Sequence, residues 1–392
     1  MRGGHDGGVG AFDVDLEAVR RRRTVKWTLY GPDVLAAWVA EMDFDAAPVV
    51  RRALRDAVER QDFGYLEADL SSLTGACSRF LERAHGWTVP PTRIFPVADV
   101  LVGIAAALDH HVPAGAPVVV PTPAYPPFFE VVALGGRPVV EVPVVDDGAG
   151  RLTLDLDAID RALAAGARGV LLCNPHNPIG RAYEPGELRP LADLVERHGA
   201  AVVADELHGP LAHPGHRYTP YATVSDAAGA HSTTVVAASK AWNVPGLKCA
   251  QVLTTNHDAA AWWRALPGFA VPGATPIGVA ANIAAYDEGE PWLAELRRQL
   301  ATNRDLLVDL VAEELSGAVL RAPEATYLAW IDCAALDLDD PAGFFLREAK
   351  VALNEGAAFG AGHERYVRLN YGTSPEILEQ IVGRMGAALR SR

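Results

Sequence analysis

Five short, almost uninterrupted apolar runs in the middle of the chain leave it few possible folds. They are APVVV at residues 116–120, RGVLLC at 168–173, AAVVAD at 200–205, TTVVAAS at 233–239 and CAQVLTT at 249–255. Each is rich in β-branched residues and lacks the polar alternation of a half-solvated strand. Strands of this kind are buried on both faces, which requires a largely parallel sheet covered by helices on either side. The stretch PGELRPLADLVERH at 185–198 supplies such a cover, with Leu188, Leu191 and Val195 at helical spacing and Pro185 suited to a first turn. The expected class is α/β, doubly wound and mostly parallel. Beyond it the pattern changes: a hydrophobic helix at 277–286, a long amphipathic helix at 290–315, a strand at 327–331, a helix at 342–350, a strand at 366–370 and a last helix at 375–389. These predict a smaller α+β domain. The expected division is residues 1–48 joining the small domain, 49–285 as the large domain and 286–392 as the small domain proper.

With 392 residues, 49% of them hydrophobic, the chain can bury two or three structural units. Lys and Arg number 35 against 49 Asp and Glu, a formal charge of −14, and so lack the basic footprint of a nucleic-acid binder. No apolar run reaches the ~18 residues of a membrane span; the best, at 100–108, stops at Asp109 and His110. The opening MRGGHDGGVG has no apolar h-region and reads as a loose tail, not a signal peptide. Cys77, Cys173, Cys249 and Cys333 form no CxxC pair, which argues against a zinc site or disulfide framework and suits a reduced cytoplasm. No metal and no membrane are expected.

In open α/β sheets ligands bind beyond the carboxyl ends of the strands. Three inferred strands end there in polar groups: Asn174-Pro175-His176-Asn177-Pro178-Ile179-Gly180, then Asp205-Glu206-Leu207-His208, then Ser239-Lys240 with Lys248 a few residues on. Taken singly, the first is also read as a plain turn, Asp205 as a helix cap and Lys240 as a surface lysine. Together they put an amide, a carboxylate and an amine at one crevice, with a second cation fit for a phosphate.

NPHNPIG, DELHGP and SKAWNVPGLK, followed by RLNYG at 368–372, resemble the fold-type I pyridoxal 5′-phosphate (PLP) enzymes of the aspartate-aminotransferase-like superfamily. WVAEMDF at 38–44, FGY at 63–65 and PAYPPF at 123–128 are similar to its branch of cystathionine β-lyases, or carbon–sulfur lyases. The resemblance implies that Lys240 joins the PLP aldehyde and then acts as general base, Asp205 pairs with the ring nitrogen, Asn177 donates to the ring oxygen and Tyr125 stacks on the ring. It implies a phosphate held by Ser239, Lys248 and the N–H groups of Val100 and Leu101 at a helix start. Asp99, awkward beside a phosphate, is expected to cap that helix and point away. Arg368 is implied to clamp the substrate carboxylate, with Asn177 and Ala40 also at the substrate. Tyr65, and by the same logic Thr275, reach the phosphate of a second subunit, implying a homodimer. His208 stands where the aminotransferases of this fold carry a tyrosine, which favours the lyase branch; it either tunes the ring oxygen or is a satisfied strand-end histidine.

The expected activity is cleavage of L-cystathionine or another cysteine S-conjugate, a small-molecule amino-acid thioether, to a thiol, pyruvate and ammonia. The alternatives are an aminotransferase or a decarboxylating or deaminating relative, and, from a different class, an inactive PLP-fold regulator. Trp27, Tyr30, Trp38 and Trp242 are candidates for an apolar pocket around the thioether tail, although large aromatics more often belong to the core; no residue is assignable as a distal cation, although Arg21, Arg22, Arg23 and Lys26 are close in sequence to WVAEMDF.

Overall fold

The computed structural model describes residues 12–268 and 270–392, so the expectation for the glycine-rich opening lies outside the described residues. At its centre is a seven-stranded sheet. In chain order its strands are β1 (Ile94–Val97), β2 (Val118–Thr122), β3 (Val139–Pro143), β4 (Gly169–Cys173), β5 (Ala201–Asp205), β6 (Ser232–Val236) and β7 (Ala250–Leu253). Their spatial order is β1-β7-β6-β5-β4-β2-β3. Neighbours are parallel except where β7 runs against both β1 and β6. All five apolar runs become strands, and β2, β4, β5, β6 and β7 are buried along their whole length.

Helices cover both faces. On one face α1 (Val100–His111) lies across β6 and β7, and Gly103 allows the approach, since a Cβ there would come within 2.9 Å of Val235 Cγ1 and 3.0 Å of Val252 Cγ2. On the other, α2 (Pro185–Arg197) buries Leu188, Leu191 and Val195, the residues that mark it as amphipathic in the sequence.

The C-terminal part begins with α3 (Glu290–Glu314). A four-stranded antiparallel sheet of β8 (Val319–Leu320), β9 (Leu328–Asp332), β10 (Asn354–Glu355) and β11 (Tyr366–Asn370) follows, in the order β8-β9-β11-β10. The chain closes with α4 (Pro375–Arg390) packed on α3. The helix expected at 342–350 is a short α-helical segment, Pro341–Phe344, that widens into a π-helical turn over Phe345–Ala349 and stops at Lys350 with φ 55°. Leu35–Ala36 pairs in parallel with Val351–Ala352, tying the early chain to the late one. One apolar cluster runs from Met42 and Phe44 through Trp242 to Tyr327 and Leu369. Among the described residues no helix is long and apolar enough to cross a membrane, no group of three His, Cys, Asp or Glu gathers as a metal site, and the four cysteines are buried and unpaired.

Candidate active site

Sheet register aligns the groups that matter. Asp205, the last residue of β5, lies opposite Cys173 on one side and Val235 on the other, so the ends of β4, β5 and β6 open together. The loop after β4 is fixed by His176, whose ring bridges the Tyr183 hydroxyl at 2.7 Å and the Pro123 carbonyl at 2.8 Å. That bridge links the loop carrying Asn177 to the turn after β2 carrying Tyr125.

Lys240 stands four residues past the end of β6, half-buried, with its Nζ donating to the Ala40 carbonyl at 2.9 Å. Burial, helped by the Arg368 guanidinium, draws the amine down to about 8, against the pull of the Asp205 and Glu41 carboxylates. Asp205 is 4% exposed, and burial raises its carboxyl to about 7 even though the Leu207 N–H and the Lys240 charge oppose the shift. Burial, then the charges of Lys240 and Arg368, push His208 down to about 3, so its ring is neutral near pH 7. Its Nδ1 is buried without a partner, and the ring meets Tyr327 edge-to-face with centroids 6.0 Å apart.

Arg368, on β11, is 3% exposed. Nη1 donates to Asn177 Oδ1 at 3.0 Å, and Nη2 donates to the Trp38 carbonyl at 2.9 Å and to Asn354 Oδ1 at 2.6 Å. The guanidinium lies 5.0 Å from the Phe359 ring centre, and Nε is buried without a partner. Among the described residues no carboxylate pairs with it. A buried cation left uncompensated in this way is costly, and a carboxylate ligand removes the cost. Tyr125 sits half-buried, edge-on to Phe128 at 5.5 Å, its hydroxyl pKa raised by burial against the opposing Arg368 charge.

The segment at 38–44 forms the floor between these groups. Asn243 donates to the carbonyls of Met42 (2.9 Å) and Phe44 (2.8 Å) and accepts from Met42 N–H (3.0 Å). From the other side Asn370 donates to the carbonyls of Val39 and Glu41, both at 2.7 Å. The Ala40 carbonyl therefore holds a fixed place, and it accepts from the Tyr327 hydroxyl at 3.0 Å as well as from Lys240.

At the other end of the crevice, Val100 and Leu101 open α1. Asp99 caps that helix, accepting from Val102 N–H at 3.0 Å, but it does not point away: its other oxygen meets Lys248 Nζ at 2.8 Å. Ser239 is half-buried beside Lys240. Thr275 accepts from Gly278 N–H at 3.1 Å as the cap of its own helix, and Tyr65 is 105% exposed. One further side-chain expectation fails. Trp242 is fully buried among Phe80 and Tyr286 and donates to the Gly289 carbonyl, so it belongs to the core and not to a substrate pocket. Of the cations near WVAEMDF, Lys26 is sealed in an ion pair with Asp43 at 2.8 Å, both about 2% exposed or less, and Arg22 pairs with Asp45. Tyr327, Asn354, Phe359, Asn243 and Asn370 were not singled out from the sequence. Of these only Asn243 and Asn370 carried a signal, as amides inside the quoted SKAWNVPGLK and RLNYG motifs.

A family model for aminotransferase class I and II matches residues 38–385. The cystathionine β-lyase of Corynebacterium glutamicum is 38% identical over 96% of this chain and 99% of its own length. Cystathionine β-lyase PatB of Bacillus subtilis is 33% identical, covering 94% and 97%. The crystal structure of a candidate PLP-dependent β-cystathionase from Corynebacterium diphtheriae superposes with a TM-score of 0.93 at 40% identity, over 97% of this chain and 99% of that one.

Proposed function

Since the chain belongs to the aminotransferase class I and II family, we propose that it is a PLP-dependent carbon–sulfur β-lyase that converts L-cystathionine or a related cysteine S-conjugate to a thiol, pyruvate and ammonia. One observation carries the site-level reading: a buried guanidinium with no carboxylate partner among the described residues shares a crevice with an amine drawn down to about 8. The same residues fit the cofactor, because a carboxylate raised to about 7 by burial and an unpartnered His208 Nδ1 are groups a polar ring can satisfy.

When bound, the cofactor supplies an aldehyde for amine capture and a ring that accepts electron density from Cα. Lys240 would be the nucleophile for that aldehyde and the base for the Cα proton, and the Ala40 carbonyl accepts from its Nζ at 2.9 Å. Asp205, buried at the end of β5, would hold a proton on the ring nitrogen. Arg368 binds the α-carboxylate, oriented by Asn354 and the Trp38 carbonyl, and Asn177 binds the ring oxygen with the amide whose oxygen Arg368 holds. Tyr125 would cover a ring face, the neutral His208 imidazole would neighbour the ring, and Ser239, Lys248 and the start of α1 would hold the phosphate. Trp38 and Tyr30, edge-to-face at 5.9 Å, are the aromatic side chains best suited to a thioether tail.

We further propose a homodimer in which the exposed Tyr65 reaches the partner's phosphate, a large domain of 49–285 with a small domain built from the two ends of the chain, and a cytoplasmic location suited to four unpaired cysteines. The deciding experiment supplies L-cystathionine to the purified holoenzyme without any 2-oxo acid and measures pyruvate, ammonia and thiol. Equal yields of the three are expected. Turnover that requires an added 2-oxo acid would instead assign an aminotransferase.

A further inference from the structure

The phosphate end of the crevice already contains an anion. Asp99 accepts from Val102 N–H at 3.0 Å with one oxygen and meets Lys248 Nζ at 2.8 Å with the other. One carboxylate thus engages both the helix start and the ammonium that the proposed function gives to a phosphate. Burial works against the ionised form, but the Lys248 contact and the N–H groups of Val102 and Leu101 outweigh it and hold the Asp99 carboxyl below its usual range. The carboxylate is therefore charged at neutral pH. A helix N-terminus offers about half a positive charge, so here one fractional charge and one ammonium already face a full negative charge. The Lys248 side chain is 54% exposed and that of Asp99 35%, so the pair can part without unpacking the core.

We propose that Asp99 is a resident competitor for the cofactor's phosphate, loosening PLP by occupying Lys248 and the first turn of α1. The proposal rests on the PLP reading above and concerns cofactor retention, not the fate of the substrate. Phosphate arriving on the Val100 and Leu101 N–H groups sits beside a like charge and must share or displace the Lys248 contact. The contacts that Ser239, Lys248 and the start of α1 would make with the phosphate are then weaker than with a neutral residue at position 99, so PLP would be released more readily. Phosphate-free pyridoxal keeps the aldehyde and ring but has nothing for Asp99 to repel.

The test titrates the apoprotein with PLP and, separately, with pyridoxal, following the absorbance change on capture. Asp99→Asn retains an oxygen for Val102 N–H and removes only the charge; Asp99→Ser is a second neutral cap should the first variant fold poorly. The expected result is at least about tenfold tighter PLP binding, with pyridoxal binding changed less than about twofold. Lys248→Gln should cost more PLP affinity in the Asp99→Asn background than alone, because only there is the ammonium released for phosphate. Unchanged or weaker PLP binding in both neutral variants would overturn the proposal, as would an equal gain for pyridoxal or an equal Lys248→Gln cost in the two backgrounds. A wild-type protein that captures neither aldehyde would sink the cofactor reading, and this proposal with it. One that captures both while its variants show no phosphate-specific gain would sink this proposal alone.

Discussion

Lys240 is the residue whose chemistry depends most on its surroundings. Its amine ordinarily titrates at 10.5 and here is drawn to about 8, chiefly by burial. The neutral amine is the nucleophile, so the rate of PLP capture by the apoprotein should rise about tenfold per pH unit below 8 and level off above it. A profile still climbing toward 10.5 would show an ordinary, solvated lysine. The same shift makes the folded chain bind fewer protons than the unfolded one between about 8 and 10.5. This group's contribution to stability therefore grows as pH rises through that window and is lost as pH falls through about 8. Lys240, Asp205 and Arg368 could be named from the sequence because the proposed chemistry asks for one residue type at each place. Tyr327 and Asn354 could not. Tyr327 reaches the Ala40 carbonyl from 287 residues away, and Asn354 acts only through Arg368, so neither leaves a local pattern.

At the scale of elements, strands buried on both faces could be read directly, whereas the two edge strands could not. β1 contains Pro96 and β3 contains Glu141 in place of a continuous apolar run, and both lie at a sheet edge where such residues are tolerated. The segment at 38–44 was recognisable only through its resemblance, because its conformation is imposed from outside by Asn243 and Asn370. Asn243 also holds φ 54°, a left-handed conformation that asparagine accepts more readily than alanine. Asn243→Gly keeps that conformation while deleting three hydrogen bonds to partly buried backbone, and should lower unfolding free energy by about 2–3 kcal/mol. Asn243→Ala should lose about 1 kcal/mol more. Chemical denaturation measures both; an unchanged midpoint in either would mean that the floor holds its shape without this amide.

For the whole molecule, the loop with Phe63 at 59% exposure and Tyr65 at 105% leaves two large aromatic side chains in solvent. Covering such side chains is a reason for two copies to associate. Sedimentation should give twice the monomer mass of 41.7 kDa, and Tyr65→Ala should weaken PLP binding while leaving pyridoxal binding unaffected. A monomer with full PLP affinity would remove Tyr65 from the site. Chain order has a further consequence. Lys240 meets a carbonyl 200 residues before it, and Arg368 meets one 330 residues before it. A ribosome releases the floor of the crevice long before the wall that carries Arg368, 330 residues further along. Until residue 370 clears the exit tunnel, Met42 and Phe44 lack part of their final packing, so these apolar side chains stay open to premature association while the intervening chain is made.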